Sequence, residues 1–175
     1  MGSDWRERLL TDLAGDDGRA RLQARETLAA IGEPALDLLV GLLDSPEPRL
    51  RWEAAKALAE IPEPAAIPGL VALLGGGRSD IGWLAAVALI NLGTRSVPHV
   101  LLALTQNENA GSKPFCKSAH HVLHDLAARN GVLRDILEPV LVALEDSAPD
   151  AGVIAAQAEK ALAALRALHE GQRYT

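Results

Sequence analysis

The sequence contains few cysteine, aromatic and clustered basic residues, and each shortage excludes a class of protein. A single cysteine in 175 residues, Cys116, excludes an internal disulfide framework and is typical of a reducing compartment. Aromatic residues make up only 3% of the chain, which argues against a β-sandwich or barrel, because those folds draw on aromatic and β-branched residues. The net charge of −6 argues against a DNA-coating protein, which needs clustered Lys and Arg to neutralise phosphates.

Long apolar runs are also missing. Proline, glycine or a charged residue interrupts every apolar stretch before it reaches the roughly 18–20 residues of a membrane span. The first ten residues, MGSDWRERLL, contain acidic residues and lack the apolar core of a signal peptide. We therefore expect a soluble, cytoplasmic protein that has no membrane partner.

Alanine and leucine are abundant instead, with 31 and 30 residues, and both are strong helix formers. They recur in columns whose successive members are 30, 31, 34 and 39 residues apart. Within each copy the apolar positions fall at i, i+4, i+8 and i+11, which is one face of an α-helix. The columns are Ala20, Leu50, Ile81, Phe115, Ile154; Ala24, Ala54, Ala85, Ala119, Ala158; Leu28, Leu58, Leu89, Leu123, Leu162; and Ile31, Ile61, Leu92, Leu126, Leu165. The pattern predicts five helices, here called the A helices, near 19–31, 48–61, 79–92, 113–129 and 151–169.

A second helix, here called a B helix, follows each of the first four A helices. Its columns are Leu36, Ile67, Val97, Leu137; Leu39, Leu70, Val100, Val140; and Leu43, Leu74, Leu104, Leu144. Short junctions rich in Gly and Pro predict antiparallel helix pairs near 19–44, 48–75, 79–105 and 113–145. Extending the columns backwards predicts a capping helix over 3–14, and the last A helix, 151–169, would close the other end. We therefore expect one domain over 1–175 with about ten helices.

Each helix pair needs its neighbours to bury its apolar face, so the pairs must stack into a solenoid. The pattern resembles HEAT-like repeats of the short type found in phycobilin lyases (PBS-lyase-type). Arg51, seven residues after Asp44, resembles the Asp–Arg ladder of that family. The resemblance implies an all-α fold, a right-handed α–α superhelix whose B helices line the concave face.

The concave face that this resemblance implies is acidic and partly apolar. The B segments and their flanks carry two basic residues, Arg95 and Arg134, against nine acidic ones. Such a face favours a basic polypeptide segment, with apolar anchors supplying the affinity and charge selecting the partner. We therefore predict a non-catalytic scaffold or adaptor that has no cofactor and binds a protein or peptide and no nucleic acid. The candidate partner-binding residues are Asp37, Leu38, His99, Leu102, Glu138 and Val142.

The same sequence features also fit other functions. The acidic face also suits an immunity protein or inhibitor that blocks a basic toxin or nuclease, and the resemblance allows a chromophore lyase or chaperone-like subunit. A DNA glycosylase-like enzyme would need a basic wall, and no catalytic motif is present. Cys116, His120 and His124 lie at i, i+4 and i+8 and are a weak candidate for a Zn²⁺ or copper site.

Three smaller features complete the sequence-based interpretation. Trp52 and Trp83 share a column and are predicted to pack at the edge between A helices. The polar stretch over 106–114 predicts a mobile loop. Asp150 is placed to cap the last helix.

Overall fold

The computed structural model describes residues 4–61, 63–75, 79–146 and 150–171. Within these ranges it contains α-helices and 3₁₀ turns and no β-strand, so the predicted all-α class is confirmed. Eleven α-helices are described: α1 Asp4–Ala14, α2 Gly18–Ile31, α3 Glu33–Leu43, α4 Pro48–Glu60, α5 Ile67–Leu73, α6 Ser79–Asn91, α7 Val97–Leu104, α8 Asn107–Ala110, α9 Lys113–Ala128, α10 Gly131–Glu145 and α11 Ala151–Gly171. Two 3₁₀ turns, Pro64–Ala66 and Gly93–Ser96, lead into α5 and α7.

The helix ends follow from local chemistry. Asp17, Ser112 and Asn130 accept hydrogen bonds from the first backbone N–H groups of α2, α9 and α10, which have no partner inside the helix. Asp150 does the same for α11, as predicted, since its Oδ1 accepts from the N–H of Gly152 at 2.7 Å. Gly32 adopts a φ of 68°, a conformation that glycine reaches without strain, and so reverses the chain between α2 and α3.

The A helices α2, α4, α6 and α9 form one layer in which each packs against the next. The column of alanines at positions 24, 54, 85 and 119 is buried in this layer, and Ala54, Ala85 and Ala119 are 0% exposed. Alanine allows the helix backbones to approach closely, and the leucine one turn later fills the adjacent space. The B helices α3, α5 and α10 pack against this layer, which is the arrangement of a HEAT-like solenoid. Its right-handed superhelix and its organisation as one domain stay predictions.

The last helix, α11, departs from the predicted arrangement. An outer-layer A helix would pack against α9, whereas α11 packs against α7, α8 and α10. Its apolar column is buried as predicted, but Ile154 and Ala158 meet the B side of the solenoid. The prediction that 151–169 extends the A layer is therefore wrong. In this position α11 buries its apolar column against α7, α8 and α10, which removes the apolar surfaces of these helices from water.

The polar stretch over 106–114 is also more ordered than its composition suggests. Residues Asn107–Ala110 form the short helix α8, and Ala110 is fully buried. Asn109 Nδ2 donates to the carbonyl of Ala103 at 3.2 Å, which anchors this helix to the end of α7. The prediction of a mobile loop is wrong here, because buried Ala110 and this hydrogen bond hold the segment in place.

A recurring side-chain hydrogen bond links three of the A helices, α2, α4 and α9, to the backbone just before them. Arg21 Nη1 donates to the carbonyl of Gly15 at 2.8 Å, and Arg51 Nη1 donates to the carbonyl of Ser45 at 2.5 Å. In the same column of the fourth repeat, the thiol of Cys116 donates to the carbonyl of Ala110 at 3.1 Å. In all three cases the acceptor lies six residues earlier in the chain. The arginine that suggested an Asp–Arg ladder thus bonds a helix-end carbonyl.

Arg49 of α4 forms an ion pair and a hydrogen bond with residues that follow the end of α1. Its Nη1 lies 2.8 Å from Oδ1 of Asp16 and 3.2 Å from the carbonyl oxygen of Gly15. The hydrogen bond from Arg49, and then its positive charge, lower the pKa of the Asp16 carboxyl below its ordinary value of 3.8. A carboxyl whose folded pKa is lowered stabilises the fold above its unfolded pKa, and this stabilisation is lost as the pH falls through the folded pKa.

We expect the Arg49→Ala substitution to raise the pKa of Asp16 towards its ordinary value, because the substitution removes both causes of the shift. Titration of the side-chain carboxyl by carbon-detected NMR measures this change directly. The control is Arg19→Ala, which removes an exposed guanidinium of α2 and should leave the pKa of Asp16 where it is. An unchanged pKa in Arg49→Ala would show that this ion pair does not form.

Candidate functional site

The position of α11 creates two separate concave surfaces on the B side of the solenoid. The first, here called the acidic groove, is an open hollow of about 500 Å³ between α10 and the first half of α11. Its walls include Asp135, Glu138, Val142, Asp146, Val153 and Gln157. The second, here called the α7–α11 cleft, has a volume of about 430 Å³ and lies between α7 and the second half of α11. Its walls include Pro98, His99, Leu102, Leu162, Arg166 and His169.

The acidic groove combines exposed apolar side chains with carboxylates. Val142 is 63% exposed and Val153 is 49% exposed, although both lie beside the buried core residues of their helices. Asp135 and Glu138 are exposed on the same side of α10 as Val142, because positions separated by three, four and seven residues share one helix face. The groove can therefore offer apolar contact and negative charge to the same ligand.

A proline inside α10 interrupts the helical hydrogen bonds beside this groove. Pro139 lies in the helix interior and lines the groove. Because proline has no backbone N–H, the carbonyl of Asp135, four residues earlier, loses the donor that would complete the helical hydrogen bond. The helix therefore lacks one of its regular backbone hydrogen bonds at the wall of the groove.

The structure separates the six predicted partner-binding residues into three places. Glu138 and Val142 line the acidic groove, and His99 and Leu102 line the α7–α11 cleft, with α11 between the two pairs. The remaining two lie on α3, where Asp37 is exposed and Leu38 is half-buried against the core. One continuous surface through all six residues, as the columns predicted, is not formed, because α11 divides it.

The Cys116, His120 and His124 cluster is held by other contacts. The thiol of Cys116 is buried and donates to the carbonyl of Ala110, and burial raises the pKa of this thiol, which disfavours the thiolate that a metal needs. His120 Nε2 lies 3.1 Å from Oε1 of Glu145, and its ring stacks on His124 with centroids 5.5 Å apart. Across the part of the chain that the structure describes, no three His, Cys, Asp or Glu side chains come together in a way that could hold a metal ion.

The two tryptophans of the A layer differ from each other. Trp52 is half-buried, and Nζ of Lys56 lies 4.3 Å from the centroid of its ring. Trp83 is 58% exposed, so most of its ring lies outside the edge packing predicted for it. The A helices already approach closely through their alanine column, and this leaves the large Trp83 ring on the outside.

Sequence reasoning missed every binding-surface residue that α11 contributes. Val153 and Gln157 in the acidic groove, and Arg166 and His169 in the α7–α11 cleft, were assigned to an outer helix. One signal could have identified them: the distance between successive copies is 30, 31 and 34 residues and then rises to 39 at the last copy. A longer connection allows the last helix to leave the regular layer.

Comparison with known proteins adds information on the repeats. Residues 6–90 match a family model described as HEAT repeats, which covers α1 to α6 except for the first two residues of α1 and the last residue of α6. No curated protein matches the chain. Within the described ranges, no helix is both long enough and apolar enough to cross a membrane.

Proposed function

We propose, from the premise that this chain is a HEAT-like repeat protein, that its acidic groove binds a segment of a partner polypeptide that carries basic and apolar side chains. HEAT repeats are generally protein-interaction scaffolds and are typically not enzymes. The observation that carries the proposal is the pairing of two exposed valines with the carboxylates of Asp135 and Glu138 in one hollow. In this role the chain is a non-catalytic adaptor.

The apolar part of the groove supplies most of the affinity in this account. Burying a whole valine side chain contributes about 1.5–3 kcal/mol, so covering the exposed parts of Val142 and Val153 contributes roughly 1 kcal/mol each. An ion pair at the rim contributes about 0–1 kcal/mol, because water and salt screen it. Contact with Val142 and Val153 therefore decides how long the partner stays bound.

The carboxylates decide which partner binds. Asp135 and Glu138 attract lysine and arginine side chains and repel phosphate groups, which disfavours nucleic acid as a ligand of this groove. Charge in this position mainly raises the association rate and makes it sensitive to salt.

Selection of random peptides displayed on phage tests the proposal and reveals the sequence of the segment that the groove prefers. We expect the chain to enrich peptides in which Lys or Arg flanks one or two large apolar residues. A synthetic probe of sequence KKLLKKLLKK, labelled with fluorescein, then gives the affinity by fluorescence anisotropy. Enrichment of peptides without basic residues would contradict the charge part of the proposal.

Two substitutions separate the contributions of charge and apolar contact. We expect Glu138→Lys to slow association of the KKLLKKLLKK probe about tenfold at low salt, and by less at high salt. We expect Val142→Asp to raise the dissociation rate about tenfold, because a carboxylate replaces an apolar anchor. Stopped-flow fluorescence measures both rates.

Matched controls lie on α2, away from the groove. Glu26→Lys makes the same charge change at an exposed position, and Leu22→Asp replaces a side chain that is 42% exposed. Both controls should leave the two rates within about twofold of the parent protein. Equal effects of Glu138→Lys and Glu26→Lys would show that net charge, and not the groove, attracts the probe.

A further inference from the structure

The α7–α11 cleft continues into a second hollow at the start of α10. This hollow has a volume of about 470 Å³ and shares Pro98, Leu165 and His169 with the cleft. The two together, here called the basic trough, run along the second half of α11 on the side of α7. Each volume lies in the range of about 300–1,000 Å³ that is typical of ligand-binding clefts.

The charges of the basic trough are opposite to those of the acidic groove. Arg95 lies at its α7 end, and Arg166 lies on α11, and both guanidinium side chains are exposed. Glu170 is the one acidic residue among the described residues that line it. A single helix, α11, thus has carboxylates beside its first half and cations beside its second half.

Two histidines add donors that can respond to a ligand. Nδ1 of His99 lies 3.3 Å from the carbonyl oxygen of Arg95, and Nδ1 of His169 lies 2.8 Å from that of Leu165. Because a carbonyl oxygen only accepts, these contacts place the ring hydrogen on Nδ1 in the neutral form. In the neutral ring Nε2 can then accept a hydrogen bond from a ligand. In the protonated ring the Nε2–H group can donate one to a carboxylate.

The apolar wall of the trough is partly exposed on three different elements. Leu102 of α7 is 54% exposed, Val132 of α10 is 58% exposed and Leu168 of α11 is 40% exposed. These three residues are three of the seven large apolar side chains that are exposed in the part of the chain that the structure describes. Their convergence on one trough offers several anchor points to an extended ligand.

We propose that the basic trough is a second docking surface, which binds a polypeptide segment with acidic and apolar side chains. Charge complementarity identifies this occupant: Arg95 and Arg166 pair with carboxylates of the segment, while Leu102, Val132 and Leu168 contact its apolar side chains. The chain then holds two segments of opposite charge, one on each side of α11. This inference rests on residues that do not belong to the acidic groove, so it stands or falls independently of the proposed function.

The test uses a fluorescein-labelled acidic probe of sequence EELLEELLEE and the full chain. We expect the probe to bind, and we expect the double substitution Arg95→Glu and Arg166→Glu to weaken its affinity about tenfold or more. A matched double substitution, Arg19→Glu and Lys160→Glu, makes the same charge change at exposed positions outside the trough and should change the affinity by less than twofold. Circular dichroism confirms that each variant is folded.

A second variant tests the apolar wall. Leu102→Asp should weaken binding of the acidic probe about tenfold, whereas Leu22→Asp on α2 should not. Failure of the acidic probe to bind, equal losses in the two double variants, or equal losses in Leu102→Asp and Leu22→Asp would each overturn the proposal. None of these outcomes depends on whether Glu138→Lys affects the basic probe, so the two proposals can fail separately.

Discussion

Replacing Glu53 with alanine is expected to destabilise the fold by about 3–5 kcal/mol, because the change removes the buried carboxylate that bonds Arg25 and leaves this buried arginine only the more distant, half-exposed Glu60 at 3.8 Å. Glu53 is 3% exposed and lies on α4, and Arg25 is 8% exposed and lies on α2. Arg25 Nη1 donates to Glu53 Oε2 at 2.9 Å, and Arg21 Nε lies 3.4 Å from Glu53 Oε1. One carboxylate thus joins two arginines of the preceding A helix across the boundary between repeats.

Urea unfolding followed by circular dichroism measures this effect. The control is Glu26→Ala, which removes an exposed carboxylate of α2 and should change the free energy of unfolding by less than about 0.5 kcal/mol. A double substitution, Arg25→Met with Glu53→Leu, should restore most of the lost stability, because it removes both buried charges together. A loss below about 1 kcal/mol in Glu53→Ala would show that the pair is not buried in solution.

The second large effect is expected at Phe115, where substitution by alanine should destabilise the fold by about 3–5 kcal/mol. Phe115 is 2% exposed, at the start of α9, in the column that holds Leu50 and Ile81 in earlier repeats. A Cβ atom on Gly75 would lie 3.3 Å from Cδ2 of the ring, so the glycine leaves the room that the larger side chain fills. Truncation of the ring would leave a cavity between α5 and α9 that the helices can close only in part.

Trp83 provides the matched control for this prediction. Its ring is 58% exposed, so Trp83→Ala should change the free energy of unfolding by less than about 1 kcal/mol. The same urea unfolding experiment compares the two variants. A Trp83→Ala variant as unstable as Phe115→Ala would show that the tryptophan packs between the A helices, contrary to the structure.

The regular part of the fold could be predicted because one physical requirement repeats along the chain. The alanine column predicts A helices near 48–61 and 113–129, and the structure has Pro48–Glu60 and Lys113–Ala128. A close approach of two helices requires a small residue where they meet, and a leucine beside it fills the remaining space. Because this requirement repeats in every pair of neighbouring A helices, alanine and leucine recur at fixed positions in the sequence. The alanine and leucine columns therefore predict the helices of the A layer.

The position of α11 could not be predicted in the same way. Its column of Ile154, Ala158 and Leu162 is buried and fits the earlier copies, but a column reports which face is buried and not which helix covers it. The structure places α11 against α7, α8 and α10, on the B side. That outcome depends on the space between α7 and α10, which no local pattern encodes.

The binding role of the six candidate residues stays a prediction, and their layout differs from the one that the columns predicted. Glu138 and Val142 were correctly placed on one exposed face, because residues four apart share a side of a helix. The assignment of His99 and Leu102 to the same acidic surface failed, since it needs α7 and α10 to be neighbours without α11 between them. Arg166, which gives the other surface its charge, lies on the helix whose neighbours were misjudged.

The central claim is that α11 separates two docking surfaces of opposite charge. Methyl NMR of the chain labelled at leucine and valine, titrated with the KKLLKKLLKK and EELLEELLEE probes, tests it most directly. The account predicts that the basic probe shifts the methyl signals of Val142 and Val153, and that the acidic probe shifts those of Leu102 and Leu168. Shifts of the same methyl groups by both probes, or of neither set, would contradict it.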